Sequence, residues 1–97
     1  SSPAFPFHHR AMHLSLFSDY SLRVLMFASS RGSAFSVTEV STAFGISRNH
    51  LVKVVNHLAR LGYLETRRGR GGGISLGRPA AEIRLGAVVR ETEGRQL

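Results

Sequence analysis

The sequence predicts a mainly α-helical domain with one small β-hairpin. Three helical segments come first, and the third has apolar residues at the spacing i, i+3, i+4, i+7 and i+10, which forms one continuous stripe on a helix. Directly after this helix the pattern changes to two short strands joined by a run of glycines. Because 97 residues with 42% apolar content suffice for one modest core, we expect a single domain.

The composition limits the classes of function. Thirteen Lys and Arg against six Asp and Glu give a net charge of +7, which indicates a polyanionic partner, either nucleic acid or an anionic membrane surface. No apolar run is long enough to span a bilayer or to serve as a signal peptide, so we expect a soluble, cytoplasmic protein. The absence of cysteine excludes a disulfide framework, a thiolate nucleophile and a self-sufficient iron-sulfur or structural zinc site. No Ser-His-Asp set or pair of carboxylates indicates an enzyme.

The N-terminal segment, residues 1–11, contains two prolines and no periodic pattern. We predict that it is a disordered leader or a remnant of cloning, with Met12 as the natural start and residues 12–97 as the folded domain. His8 and His9 are adjacent and could bind a metal, but such a pair in a flexible tail is more often incidental.

The first helix is predicted over residues 19–31. Ser18 is the expected N-cap, and Asp19 in the first turn suits the positive end of the helix dipole. Gly32 follows as a C-terminal stop. The residues expected to face inward are Leu22, Leu25 and Met26.

A helix-turn-helix pattern follows. Ser36 and Glu39 form an S-x-x-E capping box, which opens a short second helix. Gly45 supplies the turn, Ile46 fills the angle between the two helices, and Ser47 caps the third helix. A plain two-helix hairpin is the alternative. The residues of the second helix expected to face inward are Val37, Val40 and Phe44.

The third helix has one apolar and one basic face. The predicted inward stripe consists of Leu51, Val54, Val55, Leu58 and Leu61. The predicted outward face consists of Asn49, Lys53, Asn56 and Arg60, with Arg48, His50 and His57 beside them. A merely solvated face usually mixes both charges, whereas this one has no carboxylate, so we interpret it as a recognition helix for DNA. The two histidines are better explained by DNA or solvent than by catalysis.

The segment after the third helix predicts a hairpin with a basic tip. Residues 63–68 and 74–76 have the pattern of strands, and the glycine-rich residues 69–73 join them. Directly after a helix-turn-helix such a hairpin is a wing, in which the glycines let the backbone approach a phosphate. Its cations are Arg67, Arg68 and Arg70. The predicted fold is therefore a winged helix-turn-helix DNA-binding domain, with a cationic, acid-free surface shared by the third helix and the hairpin.

Two alternatives concern the glycines of the tip. The run lacks the G-K-[ST] ending of a phosphate-binding P-loop and follows a strand instead of opening a helix, which disfavours nucleotide binding. A disordered glycine loop is the more serious alternative, and the flanking arginines argue against it. Beyond the hairpin, residues 79–82 are expected to form one helical turn and residues 86–93 a short helix that ends at Gly94.

The motifs carry a resemblance to a known family. The sequence has FSDYSLR at 17–23, SRNHLVK at 47–53, LGY at 61–63 and RGRGGG at 68–73. In these motifs, and over residues 12–94 as a whole, it resembles the NsrR-like nitric-oxide-sensing repressors of the NsrR/IscR family of winged-helix transcription regulators. The resemblance implies a homodimeric bacterial repressor that binds double-stranded DNA at a near-palindromic operator and blocks a promoter sterically.

The resemblance also implies which residues contact DNA. They are Ser47, Arg48, Asn49, His50 and Lys53 on the helix and Arg68, Arg70, Gly71 and Gly72 in the wing. Their chemistry agrees, since Asn49 suits an adenine edge, Arg48 a guanine or a phosphate, and Ser47 a phosphate at a helix N-terminus. An RNA-binding winged module and a protein-interaction module with an acidic partner are the alternative functions.

The sequence departs from the resemblance in its cofactor. Nitric-oxide-sensing members hold an iron-sulfur cluster with three cysteines that follow the last helix seen here, and a long dimerisation helix comes next; this chain has neither. We therefore expect no cofactor in this chain and weak or absent dimerisation. Truncation before the sensor and natural loss of the sensor are the two alternatives, and the abrupt end at Leu97 favours truncation. Asp19 matches a cluster ligand that such proteins receive from the partner subunit, and the alternative is that it only supports the helix N-terminus.

Overall fold

The computed structural model describes residues 14–97, so the predicted leader with His8 and His9 lies outside the described residues. Along the described part of the chain no helix is long and apolar enough to cross a membrane. The elements in chain order are α1 (Leu16–Arg31), α2 (Val37–Phe44), α3 (Arg48–Arg60), β1 (Leu64–Arg67), β2 (Gly73–Leu76), one 3-10 turn (Ala80–Glu82) and α4 (Leu85–Thr92). The prediction of a mainly helical domain with a small β-hairpin is confirmed.

The start of α1 differs from the prediction. The N-cap is Ser15, whose side chain accepts a hydrogen bond from the amide of Ser18 at 3.1 Å. Ser18 is fully buried, and its hydroxyl pairs with that of Thr92 in α4 at 2.7 Å. The predicted cap was wrong because this contact with α4 draws Ser18 into the interior. Met26, predicted to face inward, is 41% exposed.

The helix-turn-helix forms as predicted. Both halves of the capping box between Ser36 and Glu39 are present, and Gly45 ends α2 in the left-handed conformation at a φ of 68°. Ile46 is buried between the helices, and the side chain of Ser47 accepts a hydrogen bond from an amide in the first turn of α3. Phe44 lies at the end of α2 and is 38% exposed, so the prediction that it faces inward was wrong.

The apolar stripe of α3 supplies the centre of the core. Leu51, Val54 and Leu58 have no exposed surface, and α3 packs against both α1 and α2. The prediction that His57 lies beside the basic face was wrong, because His57 is buried. Its Nε2 lies 2.9 Å from the carbonyl oxygen of Glu91 in α4, and its ring meets that of Phe17 edge-on. His57 is therefore covered from two sides, by Phe17 of α1 and by Glu91 of α4.

The hairpin is antiparallel and attached to the helices. Leu64 pairs with Leu76, and Arg67 pairs with Gly73. The first strand is therefore shorter than predicted, and the second begins one residue earlier, so Gly73 belongs to a strand instead of the tip. Phe35, in the connection before α2, exchanges two main-chain hydrogen bonds with Ile74, at 2.9 and 2.8 Å. This bridge was not predicted, and it ties the wing to the start of the helix-turn-helix.

Candidate nucleic-acid interface

The predicted contact residues at the start of α3 lie on its exposed side. Ser47, Arg48, Asn49 and Lys53 are exposed, and His50 is half-buried with its ring stacked on Tyr20 at a centroid distance of 6.2 Å. Within residues 14–97, the side chains of Arg48 and Asn49 make no hydrogen bond or ion pair. Their donors are therefore available to an external partner.

Two of these residues make contacts within the chain. The hydroxyl oxygen of Ser47 accepts a hydrogen bond from the His50 amide, so its own O–H remains free to donate. The ammonium group of Lys53 donates to the main-chain carbonyl of Leu97. An anion that binds the Lys53 ammonium group would have to replace Leu97 in this exposed contact.

The hairpin presents cations, but it is not free of acids. Arg68 and Arg70 are exposed and have no ion-pair partner in the described part of the chain. Arg67 lies 3.4 Å from the carboxylate of Glu65, and both side chains are largely exposed. The expectation of an acid-free surface is therefore wrong for the hairpin, because residues two apart on a strand share one face.

The glycines of the tip are required by the turn itself. Gly69 and Gly71 have positive φ angles of 90° and 76°. The amide of Gly72 donates to the carbonyl of Gly69 at 2.9 Å, and a Cβ on Gly72 would lie 2.5 Å from the Arg67 carbonyl oxygen. The tip is thus a defined turn and not the unstructured loop considered as an alternative. These constraints explain the glycines without a nearby phosphate, so the roles of Gly71 and Gly72 in binding remain predictions.

A set of contacts that sequence reasoning missed holds the base of the wing. The Arg78 guanidinium donates to the carbonyls of Leu61 at 2.9 Å and Gly62 at 3.3 Å, where α3 ends, and it covers the ring of Tyr63 at 4.4 Å. The Tyr63 hydroxyl donates to Glu91 of α4 at 2.6 Å. Burial, followed by this bond, raises the pKa of Tyr63. No local pattern signals these partners, because they lie 15 to 28 residues apart.

The described residues do not fit an iron-sulfur cluster by themselves. The chain has no cysteine, and within residues 14–97 no group of three or more His, Cys, Asp and Glu side chains could hold a metal ion. Asp19 lies in the first turn of α1, where its carboxylate accepts a hydrogen bond from Arg23 Nε at 2.8 Å.

Comparison with known proteins adds a family and a set of similar structures. Residues 14–97 match the family model described as "Rrf2: Iron-dependent Transcriptional regulator". The global cysteine regulator CymR of B. subtilis is 23% identical and superposes with a TM-score of 0.79, covering 87% of this chain and 67% of that one. The oxidised form of S. aureus CymR is 26% identical, with a TM-score of 0.77 and coverage of 89% and 71%.

An IscR from T. potens is 22% identical, with a TM-score of 0.78 and coverage of 86% and 62%. The chain therefore spans about two thirds of the length of these proteins. The likeness confirms the predicted winged helix-turn-helix fold, and the family model matched over residues 14–97 agrees with the transcription-regulator function expected from the motifs. These similarities do not separate an NsrR-like branch from the rest of the family, so that assignment stays a prediction.

Proposed function

Since the chain belongs to the Rrf2 family of transcription regulators, which bind DNA and are not enzymes, we propose that it is a repressor that inserts α3 into the major groove of an operator. In this proposal the wing lies on the adjacent backbone or in the minor groove. Occupancy of the operator blocks the promoter sterically, in the cytoplasm of a bacterial cell.

One observation carries the proposal. The exposed face of α3 has arginine, lysine and asparagine and no carboxylate, and a turn with two exposed arginines follows it in the same domain. Arginine binds phosphates and guanine edges through a planar fork of donors, so a surface of this kind favours a polyanion with readable base edges. Glu65 in the wing is too close to Arg67 to act as an independent repulsive charge.

The proposed roles follow the chemistry of each side chain. Asn49 reads an adenine edge, and Arg48 contacts a guanine or a phosphate. Ser47 donates its free O–H to a phosphate at the N-terminus of α3, while His50 and Lys53 hold the neighbouring backbone. In the wing, the side chains of Arg67, Arg68 and Arg70 and the main-chain amides of Gly71 and Gly72 contact phosphates or the minor groove.

The operator in this proposal is near-palindromic and receives a homodimer, with half-sites one or more helical turns apart. The finer assignment is to the NsrR-like branch, which responds to nitric oxide, and the motifs SRNHLVK and RGRGGG support it. A cluster would then depend on cysteines outside these 97 residues, with Asp19 as a candidate ligand. Binding sites recovered from genomic DNA should lie upstream of genes that remove nitric oxide, and a set of unrelated promoters would contradict this branch.

The test of DNA binding is selection from a random duplex pool, followed by fluorescence anisotropy with the selected duplex, a scrambled duplex and a hairpin RNA. We expect an enriched palindrome that binds at least tenfold tighter than the scrambled duplex. Preference for the hairpin would favour an RNA-binding module. Absence of enrichment, together with capture of an acidic protein that nucleic acid does not displace at physiological salt, would favour a protein-interaction module.

A further inference from the structure

One aliphatic side chain of α3 does not belong to the core. Val52 is 41% exposed, whereas the other valine and leucine side chains of α3, at positions 51, 54, 55 and 58, are buried. A β-branched residue in an exposed helix position lowers helix propensity and gains little by burial. The isolated domain therefore gives no reason for a valine at this position.

The position of Val52 on the helix is central to the exposed face. At 3.6 residues per turn, Val52 lies between Arg48 and Asn56, about 40° from each around the helix axis. It lies about 60° from Asn49. Arg48, Asn49 and Asn56 are all exposed. Val52 is thus an apolar group surrounded by donors that suit base edges.

The other large exposed hydrophobic residues have different surroundings in the described part of the chain. Met26 and Leu85 line an apolar groove between α1 and α4, and Phe44 lies against the ring of Phe27 at 6.3 Å. Leu16 is in the first turn of α1. Val52 differs from them because its neighbours on the surface are polar groups of the candidate interface.

We infer that Val52 is a specificity-determining residue that packs against the C5 methyl group of a thymine in the operator. In the major groove an A·T pair presents the adenine N6 and N7 atoms beside the thymine methyl, which is the one apolar feature of that edge. An asparagine that bonds the adenine and a valine that covers a thymine methyl complement each other on one helix face. This inference rests on the proposed function, because it requires α3 to enter the major groove.

The test uses the duplex found by selection, with each thymine replaced in turn by deoxyuridine, which lacks only the C5 methyl. We expect wild-type affinity to fall about fourfold at one thymine of each half-site. Val52→Ala should lose a similar factor on the unmodified duplex and should no longer respond to deoxyuridine at that position. Leu16→Ala, which shortens an exposed aliphatic side chain in α1, is the control and should keep the wild-type pattern.

The outcomes separate this inference from the proposed function. If a duplex is selected but no deoxyuridine weakens binding, or if Val52→Ala remains as sensitive to it as the wild type, the inference is wrong while DNA binding stands. If no duplex is selected, the proposed function fails and the inference fails with it. A thermal melt of Val52→Ala checks the fold, and it should match or exceed the wild type because alanine has the higher helix propensity.

Discussion

Replacing Arg70 by alanine removes one exposed cation from the tip of the wing and tests the electrostatic part of the proposal. The candidate interface contains five cations, which are Arg48, Lys53, Arg67, Arg68 and Arg70. Each phosphate contact contributes about −0.9 to the slope of log affinity against log salt. Five contacts per chain therefore predict a slope of about −4.5, which is a loss of about 500-fold between 50 and 200 mM salt.

The variant Arg70→Ala should reduce that slope to about −3.6, so the loss over the same salt range falls to about 150-fold. The change should be the same for selected and scrambled duplexes, because phosphates carry no sequence information. The assay is fluorescence anisotropy at four or more salt concentrations on both duplexes.

The matched control is Arg84→Ala, which removes the same charge from an exposed position between the 3-10 turn and α4. Its slope should equal that of the wild type. Equal slopes for Arg70→Ala and the wild type would show that the tip does not contact phosphates. An equal reduction by both variants would show that only the net charge of the domain matters.

Four further predictions follow from the geometry. Asn49→Ala should lower affinity for the selected duplex by about tenfold and leave the affinity for the scrambled duplex unchanged, as measured by fluorescence anisotropy. Glu65→Gln should strengthen binding to both duplexes at low salt, since it frees Arg67 of its ion pair. His57→Ala should lower the free energy of unfolding by about 1 to 3 kcal/mol in urea and leave the salt slope unchanged, because the ring is buried against α4. The raised pKa of Tyr63 means that the folded chain keeps the phenolic proton to higher pH than the unfolded chain does. The protonated phenol therefore contributes to the free energy of unfolding below about pH 10, and this contribution is lost as the pH rises above that value. Tyr63→Phe should cost about 1 kcal/mol at neutral pH by loss of the bond to Glu91, and denaturant melts from pH 7 to 11 should show a smaller alkaline decline.

Local signals were sufficient for the helix-turn-helix. The capping box of Ser36 and Glu39 and the left-handed glycine at 45 are interactions within four or five residues, so their spacing in the sequence determines them. The apolar stripe of α3 has the period of a helix and matches its buried residues, and the run of glycines marks the turn of the hairpin. The fold and the exposed start of α3 could therefore be predicted.

Tertiary structure decided the features that depend on distant partners. Ser18 is not a cap because Thr92, 74 residues away, bonds its hydroxyl, and His57 is not on the basic face because it packs against Phe17 and Glu91. The bridge between Phe35 and Ile74 likewise joins segments that no local period connects. The sequence by itself determined the type and order of the elements, because capping and periodicity act over one or two helical turns, although the ends of several elements lie elsewhere than predicted. Only the tertiary structure decided which face of each element is covered by another element, because contacts between distant segments leave no regular spacing in the sequence.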